Sequence, residues 1–178
     1  MNSLTTDEVV IDSNIFQHLI SHDARFNPDG HIAVLLGRLW EDRILLCVDE
    51  DGRIEGEYEL IIQPMLRNQS DASEEIGLLR YWMLEEIRVC QPADHAGPLM
   101  NAIEQIIIEK KEKVDRTFVA VAFSRGKVLV TNDVEHILDG PDREKKLGPR
   151  RSRLIKQTKK HRPAGAEILT SREAHDRT

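Results

Sequence analysis

The 178-residue sequence lacks the features typical of secreted, membrane and metal-stapled proteins. Its two cysteines, Cys47 and Cys90, lie far apart and outside any CxxC pattern, so we expect neither a disulfide scaffold nor a zinc knuckle. No apolar run approaches the ~20 residues of a membrane helix. The opening MNSLTTDEVV has neither the basic region nor the apolar core of a signal peptide. These absences predict a soluble protein of the reducing cytoplasm.

Aromatic residues are also few, at 4%, whereas hydrophobic residues make up 40% and charged residues 31%. This balance is typical of a globular domain. A chain of this length buries roughly 70% of its unfolded surface without help from a disulfide or a metal. The composition therefore predicts one domain spanning residues 1–178.

The net charge of -6 is spread unevenly. Residues 143–162 carry ten lysines or arginines and one acid, Glu144, and the rest of the chain carries -15. A basic segment on an acidic body predicts that a polyanion is gripped at one place.

Short apolar runs alternate with amphipathic segments along the chain. Strands are predicted at 8–12, 44–48, 127–131 and 166–170, and helices at 14–22, 31–41, 54–67, 73–88, 99–113 and from Asp115 through FVAVAF. Because the strands are apolar on both faces, we expect an α/β fold with a mostly parallel central sheet flanked by helices. Residues 139–165 are too polar for a core of their own, which indicates a basic insertion or flap before the last strand.

Acidic residues stand where such a sheet collects ligands, at the carboxyl ends of its strands. Asp12 and Asp133 follow predicted strands, Asp115 opens a helix, and Glu57 lies near the start of the helix after the second strand. Carboxylates that lie close together raise one another's pKa unless a cation is present. Magnesium and manganese prefer such oxygen ligands.

Each acid also has a simpler interpretation. Asp12 and Asp133 are candidate Asx-turn or helix N-cap residues, Asp115 is a candidate cap, and Glu57 is a candidate solvated helix residue. Spacing alone does not show that the four converge.

Two segments, VVIDSNIF and DRTFVAVAFSRGKVLVTNDVEHIL, together resemble a PIN-domain nuclease. GEYELII resembles the "EY" helix start of some bacterial branches of that family. The resemblance covers roughly residues 9–138 and the final strand near 166–170. It implies catalytic, metal-binding acids at Asp12, Glu57, Asp115 and Asp133, with Glu55 and Glu59 close enough to compete for the second position.

The resemblance implies an endoribonuclease that uses Mg²⁺ or Mn²⁺ to hydrolyse RNA phosphodiester bonds, leaving a 5′-phosphate and a 3′-hydroxyl. Asn14, Thr131 and Asn132 are candidates for orienting the ligands or contacting phosphate. Ordinary turn chemistry explains these three residues equally well.

The chain departs from compact members of the family at the basic insertion, which we interpret as an electrostatic clamp for RNA over an acidic site. A solvated, partly disordered segment is the alternative. The candidate RNA-binding residues are Arg150, Arg151, Arg153, Lys156, Lys159 and Lys160.

Other functions remain open from the sequence. A haloacid-dehalogenase-like site needs an aspartate at the position of Asn14, and a receiver domain does not fit well. The main alternative is a PIN-like module that binds RNA or protein without cutting. Many small bacterial PIN proteins are toxins with a cognate antitoxin and form homodimers, for which Leu78, Leu79 and Trp82 are candidate interface residues.

Overall fold

The computed structural model describes residues 6–21, 24–67, 87–90, 97–108, 113–139 and 148–178. Its strands are β1 (Glu8–Ile11), β2 (Leu45–Asp49), β3 (Ile87–Cys90), β4 (Val128–Val130) and β5 (Glu167–Leu169). They form one sheet in the order β3-β2-β1-β4-β5, in which every neighbouring pair is parallel. The predicted α/β class is confirmed.

Helices connect the strands and flank the sheet. They are α1 (Ser13–Ile20), α2 (His31–Glu41), α3 (Arg53–Arg67), α4 (Pro98–Glu104), α5 (Lys113–Arg125), the short π-helix α6 (Val134–Leu138), α7 (Arg150–Gln157) and α8 (Ser171–His175). Within the described ranges, no helix is both long enough and apolar enough to cross a membrane.

The centre of the sheet is buried on both faces. All four residues of β1 and all three of β4 are buried, as expected for strands covered by helices on each side. Helix α5 contacts β1, β2 and β4, and its seven consecutive residues from Thr117 to Phe123 are buried. A helix that is apolar all round belongs inside a core, which explains why FVAVAF shows no clear amphipathic stripe.

Two predicted helices differ from the structure. The helix predicted at 73–88 ends in residues of β3, and its residues 73–86 lie outside the described part of the chain. A short apolar run such as IRVC has no period that separates a strand from a helix end. The helix predicted at 99–113 is shorter in the structure. Helix α4 ends at Glu104 and a turn follows, residues 109–112 lie outside the described ranges, and residue 113 begins α5.

The basic insertion contains ordered structure rather than only a flap. Helix α7 occupies residues 150–157, and its Leu154 is fully buried in the core. Helix α7 contacts α4 and α6, so it is part of the domain body. Residues 140–147 of the predicted insertion lie outside the described ranges.

Candidate active site

The strand order creates a crevice between β1 and β4. The chain runs from β1 to β2 and β3 on one side, and then returns to place β4 and β5 on the other side. Ligands of open parallel sheets bind at the carboxyl ends of the strands where the order reverses in this way. Asp12 follows β1 and Thr131 follows β4, so both lie at this switch point.

Backbone hydrogen bonds fix the two chain segments that enter the crevice. The Asp12 N–H donates to the Val130 carbonyl over 2.9 Å, and the Thr131 N–H donates to the Leu169 carbonyl over 2.9 Å. Both bonds continue the parallel ladders past the last strand residues. The backbone beneath the candidate site therefore belongs to the sheet and not to a loose loop.

Asp12 is the most deeply buried of the four candidate acids, with 3% of its surface exposed. Its Oδ1 accepts from the Asn14 N–H over 3.2 Å, which caps α1, and its Oδ2 accepts from the Thr131 hydroxyl over 2.7 Å. Burial raises the pKa of Asp12 to about 7, and the charges of Asp133 and Asp115 add to this rise. Asp12 is thus a helix cap whose pKa also responds to two other acids.

The Thr131 hydroxyl binds the Asp12 carboxylate and makes three hydrogen bonds in all. It donates to Asp12 and accepts from the Asn14 side-chain amide over 3.2 Å and from the Asp133 N–H over 3.0 Å. A hydroxyl has one proton and two acceptor sites, so all three are used. Asn14 also accepts from the Asn132 N–H over 3.0 Å. The predicted orienting residues Asn14 and Thr131 therefore touch the acids directly.

Asp133 and Asp115 reach the same edge from different elements. Asp133 caps α6 by accepting from the His136 N–H over 2.9 Å, and its partial burial raises its pKa. Asp115 lies half-buried in the first turn of α5. Because α5 leads into the start of β4, its own first turn lies at the carboxyl edge of the sheet. The charges of both residues add to the rise in the pKa of Asp12, which indicates that the three acids lie near the same edge of the sheet.

Glu57 is placed by its neighbour Tyr58. The fully buried Tyr58 hydroxyl donates to the carbonyl of Ile11, the residue before Asp12, and this bond ties α3 to the end of β1. Glu57 is half-buried, whereas its competitors Glu55 and Glu59 are exposed. The helix register thus favours Glu57 among the three.

The donor chemistry of this cluster fits a hard divalent cation. Within the described ranges, no three histidine, cysteine, aspartate or glutamate side chains are already spaced to enclose a metal ion. Burial nevertheless raises the pKa of both Asp12 and Asp133, although each accepts hydrogen bonds that lower it and the charge of His136 lowers that of Asp133, and a bound cation would favour the ionised carboxylates. Oxygen-only donors suit Mg²⁺ or Mn²⁺, which Asp12, Asp115 and Asp133 would hold with Glu57 beside them.

A further carboxylate, Asp49, lies at the end of β2 but has a structural role. Its Oδ2 accepts from the Arg53 N–H over 3.1 Å, and its Oδ1 accepts from the Ile54 N–H over 2.8 Å. Both oxygens therefore cap α3. Asp12 instead accepts one of its hydrogen bonds from a side chain across the crevice, which distinguishes it from a simple cap.

The six candidate RNA-binding residues separate into two groups. Arg150 is fully buried and donates to the His136 carbonyl over 2.7 Å, so the prediction that it contacts RNA does not fit its position. Arg151 pairs with Glu173 over 2.6 Å, and Arg153 is half-buried. Lys156, Lys159 and Lys160 are exposed. The sequence does not reveal this division, because an arginine that will be buried against a carbonyl cannot be told from an exposed one in a run of basic residues.

A cavity of about 280 Å³ lies beside the acids and was not predicted from the sequence. Asn132 and Val134, the two neighbours of Asp133, line it on one side. The remaining lining residues come from the loop before α2, from α6 and from the start of α8: Arg25, Phe26, Pro28, His31, Leu138, Thr170, Ser171 and Arg172.

A buried histidine fixes one wall of this cavity. His31 Nδ1 lies 2.9 Å from Asp29 Oδ1, and Nε2 lies 2.9 Å from the Ser171 hydroxyl. Ser171 in turn bonds the Asn132 side chain, whose Nδ2 donates to its hydroxyl over 2.9 Å. Burial lowers the pKa of His31, so its neutral form is favoured. No sequence signal links His31 to Ser171, because 140 residues separate them.

Comparison with protein-family models and with curated proteins finds no match for this chain. A functional proposal therefore has to come from the residues at the crevice.

Proposed function

We propose that the protein is a divalent-metal-dependent endoribonuclease that hydrolyses phosphodiester bonds at the crevice between β1 and β4. The observation that carries the proposal is Asp12, a buried carboxylate at the switch point whose pKa is raised to about 7 beside Asp115 and Asp133. A purely structural cap does not require two further acids beside it.

A bound divalent ion supplies a water of lowered pKa and stabilises negative charge on the phosphoryl oxygens. The residues of the chain orient the carboxylates for that ion. Thr131 fixes Asp12 Oδ2, and the cap bond to α6 fixes Asp133. Removing such a supporting contact typically lowers metal affinity or activity by roughly 10- to 100-fold.

Exposed lysines of the basic segment offer a path for RNA to an acidic site. Helix α7 contacts α6, whose cap is Asp133, and Lys156, Lys159 and Lys160 are exposed along and just after α7. Positive charge attached to the helix next to the acids offsets their repulsion of phosphate.

The salt dependence of RNA affinity tests this role. We expect Lys159→Gln combined with Lys160→Gln to reduce the slope of log affinity against log salt by about 0.7 for each phosphate that the variant no longer neutralises. Arg43→Gln is the matched control, because Arg43 is exposed in the turn before β2 and does not belong to the basic segment. An unchanged slope in the double variant would refute the clamp.

Cleavage of labelled single-stranded RNA, with matched DNA, tests the activity in Mg²⁺, Mn²⁺ or EDTA. The variants Glu57→Gln and Glu59→Gln form a matched pair on α3, one half-buried and one exposed. We expect metal-dependent cutting of RNA that Glu57→Gln weakens and Glu59→Gln retains. Equal activity in the two variants would show that Glu57 is not part of the site.

The remaining partners stay predictions from the resemblance. The residues expected at a homodimer or antitoxin interface, Leu78, Leu79 and Trp82, lie outside the described residues. A cytoplasmic setting suits the buried Cys47, whose thiol is not in a disulfide. The non-catalytic binding module is the second candidate, and RNA binding without cutting in every metal would favour it.

A further inference from the structure

We propose that the cavity beside Asp133 is a subsite for one nucleobase of the RNA strand, next to the phosphate that is cut. This inference rests on the proposed function for its substrate class. It names a second site that none of the four acids forms.

The cavity has the correct position for such a subsite. It lies at the carboxyl edge of β4 and β5, where Asn132 follows β4 and Thr170 follows β5. Asp133 stands between two lining residues, Asn132 and Val134. If an RNA phosphate lies at Asp133, a base of the neighbouring nucleotide is therefore within reach of this cavity.

The lining has the chemistry of a base-binding site. Phe26, Val134 and Leu138 supply apolar surface, and Arg25 and Arg172 supply guanidinium groups, of which that of Arg172 is paired with Asp29. One face of the Phe26 ring is already stacked on His18, with centroids 4.2 Å apart, and the Arg25 guanidinium lies 5.5 Å from the Phe26 centroid, so a base would have to add to an existing stack. Aromatic surface combined with arginine is the usual composition of sites on which bases stack.

The size of the cavity limits the ligand to about one base. Its volume of about 280 Å³ is near the lower end of the roughly 300–1,000 Å³ typical of small-molecule sites. The cavity thus takes a single base or nucleoside.

The polar wall of the cavity is preformed. The Ser171 hydroxyl bonds both His31 and Asn132, and Arg172 Nη2 donates to both oxygens of Asp29 over 2.6 and 2.7 Å. Because these groups are paired among themselves, we expect stacking and shape, rather than a hydrogen-bond code, to select the base. The larger purine rings then bind better than pyrimidines.

Binding of adenosine in EDTA tests the subsite without any cleavage. Adenosine and ribose are both uncharged, so the acids repel neither, and amide NMR shifts locate the bound ligand. We expect adenosine to shift the amides of Asn132, Val134 and Ser171 and to bind at least about tenfold more tightly than ribose. Cytidine is expected to bind more weakly than adenosine.

Two exposed valines provide a matched pair of variants. Val134 lines the cavity and is 41% exposed, whereas Val34 lies on α2 and is 46% exposed. Val134→Phe narrows the cavity and should weaken adenosine binding about tenfold, and Val34→Phe should leave it unchanged. Phe26→Ala is a second variant that removes the ring and should weaken binding by a similar factor.

The outcomes separate this proposal from the nuclease. If the protein cleaves RNA but adenosine does not shift these amides, the subsite is wrong and the proposed nuclease activity is unaffected. The same conclusion follows if Val134→Phe and Val34→Phe bind adenosine equally well. Adenosine binding that Val134→Phe weakens, in a protein that cuts no RNA, would support the subsite and overturn the nuclease.

Discussion

Replacement of Asp12 by asparagine is expected to stabilise the metal-free protein at neutral pH. Folding raises the pKa of Asp12 from 3.8 to about 7, and each pKa unit corresponds to about 1.36 kcal/mol. The ionised native carboxylate therefore reduces the free energy of unfolding by roughly 4 kcal/mol above pH 7. Asparagine removes this penalty because it carries no charge.

The substitution also removes a hydrogen bond. The Asn14 N–H and the Thr131 hydroxyl both donate to Asp12, and an amide offers only one oxygen to accept them. A donor left without its partner costs about 1–3 kcal/mol. The expected net gain for Asp12→Asn is therefore about 1–3 kcal/mol in the free energy of unfolding.

The pH dependence gives the sharper test. Because the native pKa is raised, the penalty is absent below about pH 3.8, grows as the pH rises towards 7, and is complete above 7. Urea unfolding in EDTA at pH 5 and pH 8 measures the difference between wild type and variant. The free energy of unfolding of Asp12→Asn, relative to wild type, should be higher at pH 8 than at pH 5. Glu59→Gln alters an exposed residue, so its free energy of unfolding should differ from that of wild type by less than about 0.5 kcal/mol at either pH. A variant destabilised equally at both pH values would refute the reasoning.

Two further predictions concern the glycine turn after α5 and the buried histidine. Gly126 has φ of +66°, and an added Cβ would lie 2.8 Å from the Ala164 carbonyl oxygen, whereas Gly52 has φ of +70° and open space around it. We therefore expect Gly126→Ala to reduce the free energy of unfolding by at least about 1 kcal/mol more than Gly52→Ala, and equal losses in urea unfolding would contradict the close contact. Burial lowers the pKa of His31, so the native state takes up a proton less readily than the unfolded chain, and this residue makes stability fall as the pH drops below about 6.5. An NMR titration of the His31 ring should show a midpoint below the usual value, and a midpoint at or above it would contradict the effect of burial.

The fold and the centre of the site follow from local patterns in the sequence. Asp12 and Thr131 could be placed at one edge because each follows a short apolar run, and parallel strands bring their carboxyl ends together. Tyr58 favours Glu57 over its neighbours only through a contact with Ile11, which lies 47 residues away. Sequence spacing alone therefore left Glu55 and Glu59 open.

Long-range side-chain pairing explains what the sequence did not reveal. The wall of the cavity depends on His31, Ser171 and Asn132, which come from distant parts of the chain and show no motif. Arg150 reads as one charge in a basic run, yet it is buried and holds α7 to α6 through the His136 carbonyl. Burial and pairing of single charged residues are decided by tertiary packing, which a charge count does not contain.

Cleavage of single-stranded RNA by wild type and Asp12→Asn, purified in parallel, decides whether the acids at the crevice form a nuclease site. We expect wild type to cut in Mg²⁺ or Mn²⁺ and to stop in EDTA, and we expect Asp12→Asn not to cut although urea unfolding shows it to be folded. Equal cutting by both proteins, or no cutting by folded wild type in any metal, would contradict the proposed nuclease site.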